Sequence, residues 1–176
     1  FFEILGNDRL MPHLHLSIQS GDAMILKRMK RRHNPEDVNN FIERCRKVRK
    51  ELTFGADIIA GFPTENEEMF RNTYNLLNDN HISHLHIFPF SPKKNTPAAR
   101  MPQLEKSIIK KRAQDLRLLG DNLLSLVKKN LIDDRKILIE ELNTHHISGY
   151  DQNYIKHQIP MIGMSLGEIV TTECSF

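Results

Sequence analysis

Residues 13–20 read His13-Leu14-His15-Leu16-Ser17-Ile18-Gln19-Ser20, and their alternation decides the fold. His13, His15, Ser17 and Gln19 share one parity; Leu14, Leu16 and Ile18 share the other. Period two predicts a strand with one polar and one apolar face. Asn34-Pro35-Glu36-Asp37 then marks a helix start, with Asn34 as cap and acids at the positive dipole end. Val38, Phe41, Ile42, Cys45 and Val48 follow at helical spacing, which makes Cys45 a core residue. A second strand is expected over 54–60. Thr64 and Glu67, after Gly61-Phe62-Pro63, have capping-box spacing for a helix reaching about Asp79. A third strand over 85–90 stops at Ser91-Pro92. Strands alternating with helices predict βαβ units and a parallel sheet. Right-handed crossovers put the helices on one face if the sheet curls toward a barrel. Three strands do not close one; a complete eight-stranded barrel takes about 200 residues or more.

Beyond the third strand, residues 104–131 predict a long amphipathic helix with Ile108, Ile109, Leu116, Leu119, Leu123 and Val127 on one stripe. Residues 137–176 change character. Ile137-Leu138-Ile139, Tyr154-Ile155 and Glu168-Ile169-Val170 read as short antiparallel strands among Gly149, Gly163 and Gly167. The expected organisation is α/β: a partial (β/α) barrel over 1–103, a connecting helix over 104–136 and a small β module over 137–176.

Composition narrows the class. In 176 residues, 39% are hydrophobic and 27% charged, with mean hydropathy −0.46, as expected of a globular domain in water. No apolar run approaches a membrane span, and Phe1-Phe2-Glu3 lacks a signal-peptide layout; the chain reads as starting in the middle of something. Two cysteines, Cys45 and Cys174, make neither a disulfide framework nor a four-thiolate zinc or iron–sulfur site. Their scarcity suits a reducing, cytoplasmic location. Residues 1–136 hold 24 basic against 17 acidic side chains, and residues 137–176 one against five. The densest block, Lys27-Arg28-Met29-Lys30-Arg31-Arg32, suggests a polyanion-facing surface; a solvated helix end would look similar. Lys106, Lys110, Lys111 and Arg112 read as an exposed helix face.

Ligands of parallel α/β sheets sit at the carboxyl ends of the strands. Attention falls on Ser17, Gln19, Ser20 and Gly21, on 61–65, and on 88–91. Ser17 and Gln19, of one parity, could hydrogen-bond a sugar or amino-acid group. Gly21 and Gly61 would let a ligand approach the backbone. Asp57 interrupts an apolar strand, where a carboxylate needs a partner; Arg31 is a candidate for it, or for a ligand carboxylate. The pairs His13/His15 and His84/His86 invite a metal hypothesis. Metal-dependent hydrolases on (β/α) barrels also need an aspartate and further histidines, and no such set can be placed from the sequence. Hydrogen-bonded histidines in a polar barrel interior are the favoured account.

Four segments together resemble the radical S-adenosylmethionine (SAM) methylthiotransferases: 13–21, Leu26-Lys27-Arg28-Met29-Lys30-Arg31, Asp57-Ile58-Ile59-Ala60-Gly61-Phe62-Pro63-Thr64-Glu65, and 85–91 with 95–101. The branch acting on threonylcarbamoyladenosine in tRNA fits best. The resemblance implies that a 4Fe-4S cluster cleaves SAM to a radical, and that a methylthio group is added to the adenine beside the anticodon. It implies that Ser17, Gln19, Arg31, Asp57, Gly61 and Phe88 bind SAM. Lys27, Arg28, Lys30, Arg32 and Arg100 would then face SAM or tRNA, and 137–176 would be a TRAM-like RNA-binding barrel. The family's Cys-x3-Cys-x2-Cys is not in this sequence, Ala56 and Thr64 depart from the second motif, and the tail is short and acidic for an RNA binder. The chain therefore reads as the C-terminal half of such an enzyme, inactive alone, complemented by a separate N-terminal chain or left as a gene remnant. A non-catalytic RNA-binding module and a metal-dependent hydrolase are the competing expectations.

Overall fold

The computed structural model describes residues 1–130, 134–143, 146–160 and 163–172. After a short helix α1 (Phe2–Leu5) come β1 (His13–Gln19), α2 (Ala23–Arg28), α3 (Pro35–Val48), β2 (Thr53–Ala60), α4 (Glu67–Asp79) and β3 (His84–Pro89). A 3-10 turn (Pro97–Arg100) leads to α5 (Lys106–Asn130). Four strands follow: β4 (Arg135–Leu142), β5 (His146–Tyr150), β6 (Lys156–Pro160) and β7 (Ile169–Thr172).

The first sheet is parallel in the order β1-β2-β3, the sequential order of a barrel segment. One face carries Leu14, Leu16 and Ile18, then Phe54, Ala56, Ile58 and Ala60, with Leu85 and Ile87 of β3; all pack into the main core with α3, α4 and α5. Complete burial of a side chain such as Phe54 is worth about 3 kcal/mol, and this apolar face fixes which side the helices cover. The opposite face carries His13, His15, Gly55, Asp57, His84 and His86. Polar groups thus line the side away from the helices. The expected α/β class and the parallel sheet are borne out.

Local signals account for the helix starts. Asn34 and Asp37 form a capping box at α3, and Asp22 accepts from the N–H groups of Met24 and Ile25 at α2. Asn66, not Thr64, caps α4 through Met69 N–H at 2.8 Å. Thr64 instead sits in the left-handed region with φ 67°, so the expected capping box gives way to a tight turn. In α5 the buried stripe is Arg112, Ala113, Leu116, Leu119, Gly120 and Leu123. Arg112 is not on an exposed face: the helix packs across the sheet and needs that position inside. Ile108, expected in the stripe, is exposed. The described part of α5 ends at Asn130; Leu131 lies outside the described residues.

The second sheet is antiparallel, ordered β6-β5-β4-β7, around Ile137, Ile139 and Ile147. Tyr154-Ile155, expected as a strand, belongs to the turn between β5 and β6. That turn is held from inside. Asp151 Oδ1 accepts from the N–H groups of Asn153 and Ile155 at 2.9 Å each. Its other oxygen accepts from Arg135 Nε and His157 Nε2 at 3.0 Å each. Arg135 also donates to the Asn153 side-chain carbonyl. The turn docks on the amino end of the parallel sheet. The Asn153 side chain donates to the carbonyls of Pro12 and Glu51 at 3.2 and 3.1 Å, and its backbone carbonyl accepts from Thr53 Oγ1 at 3.2 Å.

Candidate functional site

Parallel pairing sets the polar face in register. Asp57 stands opposite His86 on β3, and Gly55 stands between His15 and His84. Asp57 Oδ1 accepts from His15 Nε2 at 3.0 Å and lies 3.3 Å from His86 Nδ1. The His15 hydrogen bond, more than the slight burial that opposes it, holds the Asp57 carboxyl below its ordinary range. Arg31, the partner expected from sequence, is exposed outside this cluster. The space for His15 comes from Gly55: a Cβ there would meet His15 Nδ1 at 2.5 Å.

One layer toward the amino end, His13 and His84 lie edge-on with centroids 4.6 Å apart, and Tyr154 stacks on His13 at 5.3 Å. His13 Nδ1 is hydrogen-bonded to Thr53 Oγ1 at 2.9 Å. His84 Nε2 donates to the Tyr154 carbonyl at 3.1 Å, so its Nδ1 accepts from Ser83. Burial, reinforced by the imidazoles of His84 and His15, lowers His13 to about 4. His84 is likewise lowered, chiefly by burial. All four histidines therefore have polar partners, as the favoured sequence reading expects. What that reading lacked was the aspartate, which β2 brings between two of them.

At the carboxyl end of the strands, Gln19, Asp57, Ile59, Phe88, Lys93 and Thr96 line a cavity of about 470 Å³ together with the 89–91 turn. A bulge between Leu16 and Gln19 breaks the expected common parity: Ser17 is exposed and Gln19 is buried with φ 70°. Gln19, Asp57 and Phe88 are thus brought together, with Phe88 half-exposed. Lys93 and Thr96 were not anticipated; they lie on irregular chain after the third strand, where periodicity carries no signal.

Gly61 has φ 74°, and the place of its missing Cβ is filled by Ile109 of α5 at 2.7 Å. Gly21 makes the same kind of close approach, to Thr73 Cα at 2.6 Å. Helix packing by itself already requires a glycine at both positions. Gly61 N–H donates to Glu65 Oε1 at 3.2 Å, which ties the 61–65 turn beside the cavity. The basic segment flanks the same end. Arg28 Nη1 donates to Thr64 O at 3.4 Å and His33 Nε2 to Ile18 O at 3.0 Å. Lys27, Lys30, Arg31, Arg32 and Arg100 are exposed, and Arg28 is half-buried.

A barrel-type parallel segment with a polar face and a cavity at its strand ends has the layout in which parallel α/β folds bind their ligands. Residues 3–77 match the radical SAM superfamily. The chain is 45% identical over 174 residues to the threonylcarbamoyladenosine tRNA methylthiotransferase MtaB of Rickettsia prowazekii, a match covering 98% of this chain and 40% of that protein. It is 36% identical to MtaB of Thermotoga maritima, over 92% of this chain and 38% of that one. The tRNA-2-methylthio-N(6)-dimethylallyladenosine synthase of Ehrlichia canis is 42% identical over 54% of this chain and 22% of its own length. The chain belongs to the radical SAM methylthiotransferase family, and it spans about two fifths of the length of the MtaB relatives it matches.

The iron–sulfur cluster implied by that family does not fit the residues present. A site-differentiated cluster needs three thiolates. The chain has two cysteines; Cys45 is fully buried in the core, its thiol raised by burial, and Cys174 lies outside the described residues. The SAM nucleoside is another matter. The cavity offers an exposed aromatic face (Phe88), a side-chain amide (Gln19) and a carboxylate (Asp57), groups that suit a purine and a ribose. No described helix is long and apolar enough to cross a membrane.

Proposed function

We propose that this chain is the SAM- and substrate-facing part of a tRNA methylthiotransferase acting on threonylcarbamoyladenosine, with the cluster thiolates supplied by polypeptide outside these 176 residues. The carrying observation is the meeting of Gln19, Asp57 and Phe88 at one cavity on the carboxyl ends of the strands. These are three of the residues that the family resemblance assigns to SAM. In this reading Phe88 and Gln19 seat the adenosine, and Ser17 and Arg31 reach its polar and carboxylate ends. Asp57 receives a ribose hydroxyl, and Gly61 shapes the adjoining turn. Lys27, Arg28, Lys30, Arg32 and Arg100 draw in the tRNA backbone by charge. The β4–β7 module acts as a TRAM-like RNA-binding element, and the protein works in the cytoplasm.

The thiolate count favours a second reading, a non-catalytic RNA-binding module, in which the basic segment functions without SAM chemistry. Calorimetry separates the two. The chain alone should bind SAM weakly or not at all, because in the family the methionyl amine and carboxylate ligate the cluster. Joined anaerobically to the coding sequence that precedes it, with clusters reconstituted, it should bind SAM tightly. No gain on reconstitution would leave the RNA-binding module as the better account.

A further inference from the structure

Among the described residues, His15, Asp57 and His86 form a group whose ligand atoms all lie within 4.8 Å of one another. They come from three adjacent strands on one face: Asp57 pairs directly with His86, and His15, level with Gly55, reaches Asp57 from one step toward the amino end. Four donors about 2.0–2.1 Å from a metal ion stand about 3.3 Å apart in a tetrahedron, or about 2.9 Å along an octahedral edge. The observed separations from Asp57 Oδ1, 3.0 Å to His15 Nε2 and 3.3 Å to His86 Nδ1, already match those edges.

We propose that His15, Asp57 and His86 bind a mononuclear divalent transition cation of the zinc or ferrous class. Two imidazoles and one carboxylate suit such borderline ions and disfavour magnesium or calcium, which take oxygen ligands. The group is accessible. The His15 and Asp57 side chains are 32% and 29% exposed, and His86 is more so. Asp57 also lines the cavity at the strand ends, while His15 and His86 line a second cavity of about 460 Å³, so the group borders open space from which ligand or water could complete the coordination. Gly55 is the supporting feature: its missing side chain gives the His15 ring its place. The site uses no cysteine and is separate from the iron–sulfur chemistry of the family. It does not depend on the SAM reading.

The test uses the whole chain, stripped with chelator and titrated with ZnCl2, with CoCl2 as a spectroscopic probe. One equivalent of zinc should bind, and cobalt should give the d–d absorption of a four- or five-coordinate N/O site. His86→Ala and Asp57→Ala should each weaken binding by at least about tenfold, as loss of even supporting groups does at metal sites. His86 is exposed, so its variant should melt like the parent and keep the test free of misfolding. His84→Ala, which removes a neighbouring imidazole outside the set, should retain the full equivalent. Absence of stoichiometric binding would overturn the proposal and leave a hydrogen-bonded polar layer. So would an equivalent that survives His86→Ala, or one lost on His84→Ala.

Discussion

Arg112 of α5 donates to Glu65 Oε1 at 2.7 Å, and the two side chains are only 8% and 2% exposed. Arg112 also donates to the Glu65 carbonyl at 2.9 Å, so one guanidinium clamps the turn after β2 beside the candidate SAM cavity. Burial raises the Glu65 carboxyl above its ordinary range, against the opposing pull of Arg112. A pair this dry is costly to break, because either partner left alone is an uncompensated buried charge. Arg112→Met should destabilise the chain by about 3–5 kcal/mol in urea denaturation. Arg112→Met combined with Glu65→Leu should recover much of that loss. A single variant as stable as the parent would show that the pair does not hold the turn.

Asp151 anchors the docked turn, and its titration gives a sign. Burial pushes its pKa up, but the hydrogen bond from His157, the Ile155 N–H and Arg135 outweigh it and hold the carboxyl below its ordinary 3.8. With the folded value depressed, the unfolded chain binds the proton more readily. The stabilisation is present above pH 3.8 and is lost as pH falls through the lower folded value. Asp151→Asn should flatten the stability profile in that acidic window and lower stability at neutral pH. An unchanged acid limb would contradict the assignment.

Gly55→Ala should push His15 off Asp57, because the added Cβ would lie 2.5 Å from the ring nitrogen and 2.9 Å from the His84 carbonyl. Overpacking of this kind costs about 1–3 kcal/mol. Histidine ring NMR should show the His15 and His86 resonances moving together. Movement of neither would mean that the ring has other room.

The basic segment makes a salt-dependent prediction. Lys27, Lys30 and Arg32 are exposed, and replacing all three with alanine should weaken tRNA binding. The log–log salt slope should fall by about one for each phosphate no longer neutralised. Filter binding over graded salt reads both. A slope equal to that of the parent would place the tRNA elsewhere.

Much of the framework is legible from sequence because strands and helices announce themselves locally. The alternation of His13–Gln19 predicts β1, Asn34-Pro35 predicts α3, and the strand–helix succession predicts the parallel sheet. What escapes is set by pairing across the sheet. The neighbours of Asp57 depend on strand register, which no local pattern encodes, so charge alone suggests Arg31 as its partner when His15 and His86 hold that place. The bulge before Gln19 adds a residue to β1 and breaks the parity that Ser17 and Gln19 share in the sequence. Arg112 pairs with a glutamate 47 positions away, and helical periodicity alone places an arginine outside. Tyr154-Ile155 has strand composition, but the buried Asp151 carboxylate bends it into a turn.

Nucleoside mass spectrometry of tRNA reads out whether this chain takes part in methylthiolation. The chain would be expressed anaerobically with the coding sequence that precedes it, in a host lacking its own methylthiotransferase for threonylcarbamoyladenosine. 2-Methylthio-threonylcarbamoyladenosine should appear, and Gln19→Ala or Asp57→Ala should reduce it with the protein still folded. Unmodified threonylcarbamoyladenosine, despite fully loaded clusters and bound SAM, would contradict that role.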